Sequence, residues 1–376
     1  MSLLVGIDTG GTFTDFVLYD QKSRRIIRYK YPSTPHNPSE ALLKGLETLF
    51  DNEKLKPGEI EKLNHGTTVA TNALLQDRLP DIGMITTRGF RDILELGRQR
   101  RPHLYNLDID KPKSPAPRRF RFELNERIDA DGNIQTKLDQ EELNDIIANL
   151  RSSNVPAIAV CLLHSYKNPS HEIAVRDTLS KLLPGSLVSI SSEVMQEFRE
   201  FDRFSSTVLN AALLPVMRGY LDELSNRTRS FGISSPPLIC SSYGCNVSIE
   251  TAKEMPITTM VSGPSAGVVG AVAIGHSAGF NNLITLDMGG TSTDVCLIQD
   301  SSPLISRQRE IGGWPVTVPS VDVLSIGAGG GSILWLDEGG FLQVGPKSAG
   351  AVPGPVCYNL GGDRPTLTDA NVLARR

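Results

Sequence analysis

The sequence predicts an α/β protein built as two related halves, each a mixed sheet flanked by helices, with a cleft between them. Three observations point there. A twelve-residue phrase is written twice, as Ile7-Asp8-Thr9-Gly10-Gly11-Thr12-Phe13-Thr14-Asp15-Phe16-Val17-Leu18 and Leu286-Asp287-Met288-Gly289-Gly290-Thr291-Ser292-Thr293-Asp294-Val295-Cys296-Leu297, with seven of the twelve positions identical. Each copy has an apolar run ending in a carboxylate, a glycine turn and a second apolar run, which is the pattern of a β-hairpin. The length, 376 residues, suits two domains or one large one with ample core.

The elements follow in order. Leu3–Ile7, Asp15–Tyr19 and Arg25–Tyr31 read as a meander closed by Pro32, Pro35 and Pro38. Ser39 is positioned to cap a helix over Glu40–Phe50. Asn64-His65-Gly66-Thr67-Thr68 reads as a loop feeding a helix from Val69, followed by a buried strand at Gly83–Thr87 and a helix start at Phe90–Leu96. Arg98–Phe120, with Pro112, Pro115 and Pro117, reads as a long surface excursion. A helix (Lys137–Leu150), a strand (Ala157–Leu163) and a strand-like run (Leu187–Ser191) lead to a scaffold helix over Arg203–Leu224. Its Val208, Leu213, Met217, Leu221 and Leu224 recur at helical spacing. The second half runs through Leu238–Cys240, a turn at Ser241–Gly244, and a small-residue helix from Ser262 that can lie close to the repeated hairpin. It ends in a strand-rich, glycine-heavy stretch through Gly327–Gly331. The expected domains are 1–195 and 196–376, one hairpin in each.

Composition narrows the function. Apolar residues make up 39%, charged residues 21%, and the net charge is −4. That mild acidity supports neither nucleic-acid nor membrane-surface binding. No apolar run reaches the length of a membrane span, and the N-terminus enters a strand at once, so no signal peptide is expected. Cys161, Cys240, Cys245, Cys296 and Cys357 lack paired C-x-x-C spacing. Reduced thiols in a cytoplasmic protein are the economical reading.

The residues common to the two hairpins are those that handle phosphate. Glycine allows positive φ and close backbone approach. Threonine hydroxyls and turn N–H groups hold anionic oxygens, and one Asp per hairpin is available to Mg²⁺ or its water. Gly10, Gly11, Thr12 and Thr14 are therefore assigned to one side of a polyphosphate, and Gly289, Gly290, Thr291 and Thr293 to the other, with Thr14 and Thr293 either reinforcing the hairpins or touching phosphate. Asp8 and Asp287 are the catalytic and Mg²⁺-holding candidates. Asp15 and Asp294 are expected to satisfy backbone N–H groups of the turns. His65 is the substrate-side candidate, because it precedes what reads as a helix N-terminus; a histidine hydrogen-bonded to backbone is the equal alternative. His164 and Tyr166, at a strand end, are candidates to line the pocket. Arg98, Arg100, Arg101 and Lys111 either guide an anion, dock a partner or form a solvated face. Gly327, Gly329, Gly330 and Gly331 lack the long helix and distant acid of a dinucleotide fingerprint, and read instead as a backbone-close turn lining the cleft.

The paired D-x-G-G-T-x-T-D hairpins resemble the two phosphate loops of the actin-like ATPase superfamily. More narrowly, the chain resembles the A subunit of the hydantoinase, 5-oxoprolinase and acetone carboxylase family. The phrases that carry this are Asn64–Ala73, Arg88–Gln99, Arg101-Pro102 with Tyr105-Asn106-Leu107, Glu126-Arg127-Ile128, Ser262-Gly263-Pro264 and Ile326–Ser332. The resemblance implies duplicated actin-like (ribonuclease H-like) domains and ATP-dependent phosphorylation of a carbonyl, of the hydantoin or 5-oxoproline type, for ring opening. It also implies ATP and Mg²⁺ as cofactors and a B-type partner subunit. A ketone carboxylase subunit and a non-catalytic nucleotide-binding module are the alternatives. The family's chains run longer, through a later glycine motif against adenosine to which Asp369-Ala370-Asn371 looks like the lead, so the second domain is expected to be incomplete. Leu324 stands where the family often has histidine, and Ser241–Cys245 where a Ser-Asn-Gly-Gly turn is expected.

Overall fold

In a computed structural model, residues 2–10, 13–34, 38–99, 101, 103, 105–350 and 352–376 are described, with only the backbone of Pro38. Period-two burial organises the first sheet. β1 (Leu3–Thr9), β2 (Phe13–Asp20) and β3 (Arg25–Pro32) form the antiparallel meander. Leu3, Val5 and Ile7 of β1 and Phe16 and Leu18 of β2 are buried on one face, while Asp8 and Asp15 alternate to the other. α1 (Pro38–Glu53) joins that core through Leu42, Leu46 and Leu49; Ser39 sits within its first turn. β4 (Ile60–Thr67) lies parallel to β1 and leads into α2 (Val69–Leu75). The stretch expected to be a loop at Asn64–Thr67 is thus the end of a strand, because β1 supplies a partner that local sequence cannot show.

A second sheet follows. β5 (Gly83–Thr87) leads to α3 (Ile93–Leu96), the excursion, β6 (Arg121–Leu124), and the short pair β7 (Arg127–Ile128) and β8 (Ile134–Thr136). α4 (Gln140–Ser153) starts at Asp139, whose carboxylate accepts the N–H groups of Glu141 and Glu142. Then come β9 (Ala157–Cys161), α5 (Ser170–Leu182), β10 (Leu187–Ile190) and α6 (Ser191–Val194). The sheet order is β10-β9-β5-β6, all parallel. Every residue of β5 and β9 is buried, as two-sided helix cover requires.

α7 (Glu200–Ser230) ties the two sheets together. Phe204, Val208, Ala211 and Ala212 pack with Met84, Ala157 and Ala159 of the second sheet, and Leu213, Met217, Leu221 and Leu224 with Leu63 of the first. β11 (Leu238–Cys240) then returns to pair in parallel with β4, and β12 (Asn246–Ser248) closes the edge, giving the order β12-β11-β4-β1-β2-β3. Strand pairing therefore crosses residue 195: the sheet opened by β1 is completed by residues 238–248.

α8 (Ile249–Glu254) and α9 (Ser262–Ser277) precede the repeated hairpin, β13 (Leu283–Met288) and β14 (Thr293–Gln299). A Cβ on Gly275 would fall 2.3 Å from Leu283 Cδ1, so the small residues of α9 do permit its close approach. The short strands β15 (Ser302–Pro303), β16 (Ile305–Ser306), β17 (Arg309–Ile311), β18 (Trp314–Val316) and β19 (Ser320–Val321) follow, before β20 (Val323–Ile326) pairs with β14. β21 (Ser332–Leu336), β22 (Leu342–Ser348) and α10 (Leu367–Leu373) end the chain. Cys296, Ile298 and Val323 bury one face of this sheet under Val268 of α9. On the other face Ile284, Leu286, Leu297, Leu324 and Ile326 are exposed. Among the described residues β13 pairs only with β14. No described helix is long and apolar enough to cross a membrane, and all five cysteines are free.

Candidate functional site

The two hairpins share their geometry. In the first, Asp8 faces Asp15 and Thr9 faces Thr14; in the second, Asp287 faces Asp294 and Met288 faces Thr293. Gly10 N–H donates to the Phe13 carbonyl at 3.0 Å, and Gly289 N–H to the Ser292 carbonyl at 2.9 Å. Gly11 and Thr12 lie outside the described residues. Gly10, Gly289 and Gly290 do not adopt the left-handed backbone, which corrects the expectation that the turn glycines serve positive φ. Their value is space: a Cβ on Gly290 would meet nothing within 4 Å. The N–H groups of Gly290 and Thr291 donate to no described residue, which leaves them for an anion.

Asp8 stands at the carboxyl ends of three parallel strands, the place where open α/β sheets bind ligands. Gly66 lies opposite it on β4, and Cys240 ends β11. A Cβ on Gly66 would come within 2.7 Å of Asp8 Oδ1, and one on Gly263 within 3.1 Å. These two glycines clear the room that the carboxylate occupies. Gly263 is in the first turn of α9, whose N-terminus favours negative charge beside it. That turn is anchored: Ser262 Oγ donates to the Thr67 carbonyl at 3.1 Å, and Val261 N–H to Thr71 Oγ1 at 3.0 Å. Thr68 Oγ1 donates to the Thr9 carbonyl at 3.1 Å, which holds α2 against β1.

Asp8 remains accessible at these strand ends, yet its pKa is raised. Burial by the surrounding protein is the largest cause, followed by the charges of Asp15 and Asp287. The Asp287 charge, on the other hairpin, is the smallest of the three causes. Cys240 is pushed to about 11 by burial and then by Asp8, which keeps its thiol protonated at neutral pH.

The donor chemistry fits Mg²⁺. Carboxylates facing one another across paired strands repel, and a hard divalent cation offsets that. Among the described residues no group of three His, Cys, Asp or Glu side chains is placed to hold a metal alone. Mg²⁺ bound by Asp8 or Asp287 would keep water or phosphate oxygens in its shell, which is its ordinary habit.

Other sequence expectations resolve differently. His65 is wholly buried on the core face of β4, and its Nε2 pairs with the Tyr220 hydroxyl of α7. Burial lowers its pKa to about 4, so it is neutral and removed from the cleft. A substrate-side role for His65 is therefore corrected: strand alternation turns it away from the face that carries Asp8. Thr14 Oγ1 is bonded to Ser33 Oγ at 3.0 Å, and Ser33 donates to the Gly10 carbonyl at 2.9 Å. Thr293 Oγ1 donates to the Ala328 carbonyl. Both threonines reinforce their hairpins. Asp15 pairs with Lys30 at 3.1 Å, and Asp294 accepts from Ser325; among the described residues neither accepts a turn N–H.

The glycine stretch is backbone-close, as the sequence suggested. Gly330 and Gly331 donate to the carbonyls of Gly289 and Gly290, and a Cβ on Gly329 would strike Thr291 and Ser292 backbone at 2.7 Å. It thus braces the turn of the second hairpin directly. In the excursion, Arg98 makes two hydrogen bonds to Asp202, at 2.7 and 2.8 Å. Arg100 lies outside the described residues. His164 bonds the Ile128 carbonyl and Tyr166 stacks under Arg203, at the end of the second sheet. Asp369 caps α10 through Thr366. The Ser241–Cys245 turn directly follows Cys240 at the end of β11, whereas Leu324 is exposed on β20. Sequence reasoning missed Gly66, Gly263 and Cys240 as parts of the site. The phrases containing the first two were singled out, but only the tertiary fold brings them onto Asp8.

Comparison with known proteins agrees with this geometry. Residues 4–183 match the hydantoinase/oxoprolinase N-terminal region, and residues 203–376 match hydantoinase/oxoprolinase. The caprolactamase subunit alpha of Pseudomonas jessenii is 37% identical over 98% of this chain and 54% of its own. The acetophenone carboxylase gamma subunit of Aromatoleum aromaticum is 36% identical over 98% of this chain and 52% of its own. The crystal structure of ATP-dependent caprolactamase from Pseudomonas jessenii superposes with a TM-score of 0.89 at 35% identity, covering 98% of this chain and 54% of that one. The chain spans about half the length of the curated relatives it matches. The actin-like α/β class read from the paired hairpins is the class of these structures.

Proposed function

This chain belongs to the hydantoinase/oxoprolinase family, and from that premise we propose that it is the ATP-handling part of an enzyme that activates the carbonyl of a cyclic amide or imide for ring opening. The observation that carries the proposal is the matched register of the two hairpins, each of which puts an aspartate, Asp8 or Asp287, at the strand end beside its glycine turn.

A lactam carbonyl is a poor electrophile toward water. Attack of its oxygen on the γ-phosphorus of ATP, with ADP leaving, turns that oxygen into part of a leaving group. Water can then add to the carbon, the ring C–N bond breaks as the nitrogen takes up a proton and leaves an acyl phosphate, and a second water releases inorganic phosphate and the carboxylate. Such transfer needs positioning and charge neutralisation more than covalent chemistry from the protein. Gly10, Gly11 and Thr12 would face the phosphates from one side, and Gly289, Gly290 and Thr291 from the other. Thr14 and Thr293 hold those turns in place, with Gly327–Gly331 bracing the second. Bound at Asp8 and Asp287, Mg²⁺ would supply charge neutralisation to the transferring phosphoryl group. His65 acts only through the fold.

A B-type subunit would complete hydrolysis, and the five free cysteines favour a cytoplasmic setting. We take 1–195 and 196–376 as the two family units, between the matched regions. The acetophenone carboxylase relative favours a second reading, ketone activation for carboxylation. ATP consumption against hydantoins, 5-oxoproline, caprolactam and ketones, with and without a B-type partner, separates these. Turnover with cyclic amides alone supports ring opening, turnover only with ketones and bicarbonate supports the second reading, and no stimulation by any compound refutes both.

A further inference from the structure

Away from the first hairpin, the excursion after α3 folds back over the β17–β18 hairpin. Gly313, at the tip of that hairpin (φ +80°), has no room for a side chain: a Cβ there would lie 2.6 Å from Pro112 Cγ. A Cβ on Gly97 would lie 3.3 Å from the Phe201 ring and 3.5 Å from Lys111 Nζ. Between these contacts is a cavity of about 430 Å³, adjoining one of about 760 Å³. Trp314, only 6% exposed, lines both. The smaller volume falls in the range of small-molecule sites.

The charge on its walls is unbalanced. Arg98, Arg101, Lys111 and Arg309 line it against the single carboxylate of Glu310. Arg98 is committed to Asp202. Lys111 donates to the carbonyls of Glu95 and Leu96, and Arg309 to those of Val321 and Val323. Carbonyl oxygens satisfy these hydrogens, and the carboxylates of Asp322 and Asp294 act on Arg309 only through space. Arg101 bonds to no described residue, and none of these three cations has a carboxylate at ion-pair distance among the described residues. The apolar side is supplied by Leu94, Phe201 and Trp314. A guanidinium free to form a fork beside an indole suits a carboxylate on an apolar body.

We propose that this cavity is a second small-molecule site, which takes an organic carboxylate with an apolar or aromatic body, held by Arg101 and Arg309 against Trp314. The site goes beyond the proposed activity. It lies at the far end of α2 from the first hairpin, since Leu74 and Leu75 of that helix approach Gly312 next to the cavity. Seven helical residues span roughly 10 Å.

The test uses Trp fluorescence in a Trp335→Phe background, which leaves Trp314 as the only reporter. The probes are phenylacetate and its neutral isostere phenylacetamide. Saturable quenching by phenylacetate, with the amide about tenfold weaker or worse, is expected because a charge-assisted contact contributes about 1.5–3 kcal/mol. Arg101→Gln should weaken phenylacetate about tenfold by the same reasoning, and Arg309→Lys should weaken it while keeping a cation on the carbonyls. Asp8→Asn with Asp287→Asn should leave it unchanged, so failure of the phosphate reading and failure of this one are distinguishable. No saturable change up to about 10 mM, well past a millimolar Kd, overturns the proposal. Equal affinity for acid and amide does so as well, as does wild-type affinity in Arg101→Gln.

Discussion

Replacing His65 by Gln tests whether this histidine acts through the fold or through the chemistry. The ring is fully buried between β4 and α7, with Tyr220 on Nε2. Its pKa falls from 6.5 to about 4 because burial penalises the imidazolium. In the unfolded chain the ring titrates near 6.5, so between that value and about 4 the unfolded state binds the additional proton. Stability held at neutral pH is therefore lost as pH falls through this window. The linkage integral gives roughly 2.5 kcal/mol lost by pH 4.5 from this group alone. Gln cannot titrate, so His65→Gln should show a shallower decline by about that amount, whatever its stability at pH 7. Urea unfolding of both proteins at pH 7.0, 5.5 and 4.5 reads the difference directly. Parallel pH profiles for the two would refute the burial argument. A loss of nucleotide turnover by about a hundredfold or more in a folded His65→Gln, the scale of a removed catalytic group, would return His65 to the cleft.

Three further outcomes follow from the site. Gly66→Ala places a methyl carbon within 2.7 Å of Asp8 Oδ1; we expect a stability cost of about 1–3 kcal/mol and loss of Mg²⁺-dependent nucleotide binding, both read by thermal shift with and without Mg-ATP. Asp8→Asn removes a carboxylate whose charged form the fold disfavours. Because that pKa is raised, the destabilisation is present above the raised value and fades as pH falls through it. The variant should be more stable at pH 7 by about 0.2–1 kcal/mol from the cross-strand pair, with no gain at pH 3, as calorimetric scans at both pH values would show. Thr293→Val cuts the tie from the second hairpin to the Ala328 carbonyl and should cost about 1 kcal/mol in urea unfolding at pH 7, with nucleotide affinity reduced in titration.

Much of this architecture was legible because repetition is visible without a fold. The twelve-residue phrase located both hairpins, and their paired registers match it residue for residue. The scaffold helix was legible from apolar spacing alone, since Val208 to Leu224 face two sheets that both demand apolar partners. Other features depend on tertiary context. Nothing local distinguishes Asn64–Thr67 as a strand, because its partners are 58 residues upstream and 174 downstream. That pairing is also what turns His65 inward, so its misassignment follows from the strand that was missed. The room around Asp8 is likewise non-local, made by Gly66 and Gly263 from two distant segments. Two carboxylates facing across a hairpin could have been seen from the repeated D-x6-D spacing, had the turn length been fixed first.

Calorimetric titration of the 376-residue chain with Mg-ATP reads whether two hairpins form one phosphate grip around Mg²⁺. A shared grip gives saturable binding that requires Mg²⁺ and disappears in the Asp8→Asn, Asp287→Asn double variant while that variant stays folded. Wild-type affinity in the double variant, or a folded wild-type chain that binds nothing, would contradict it.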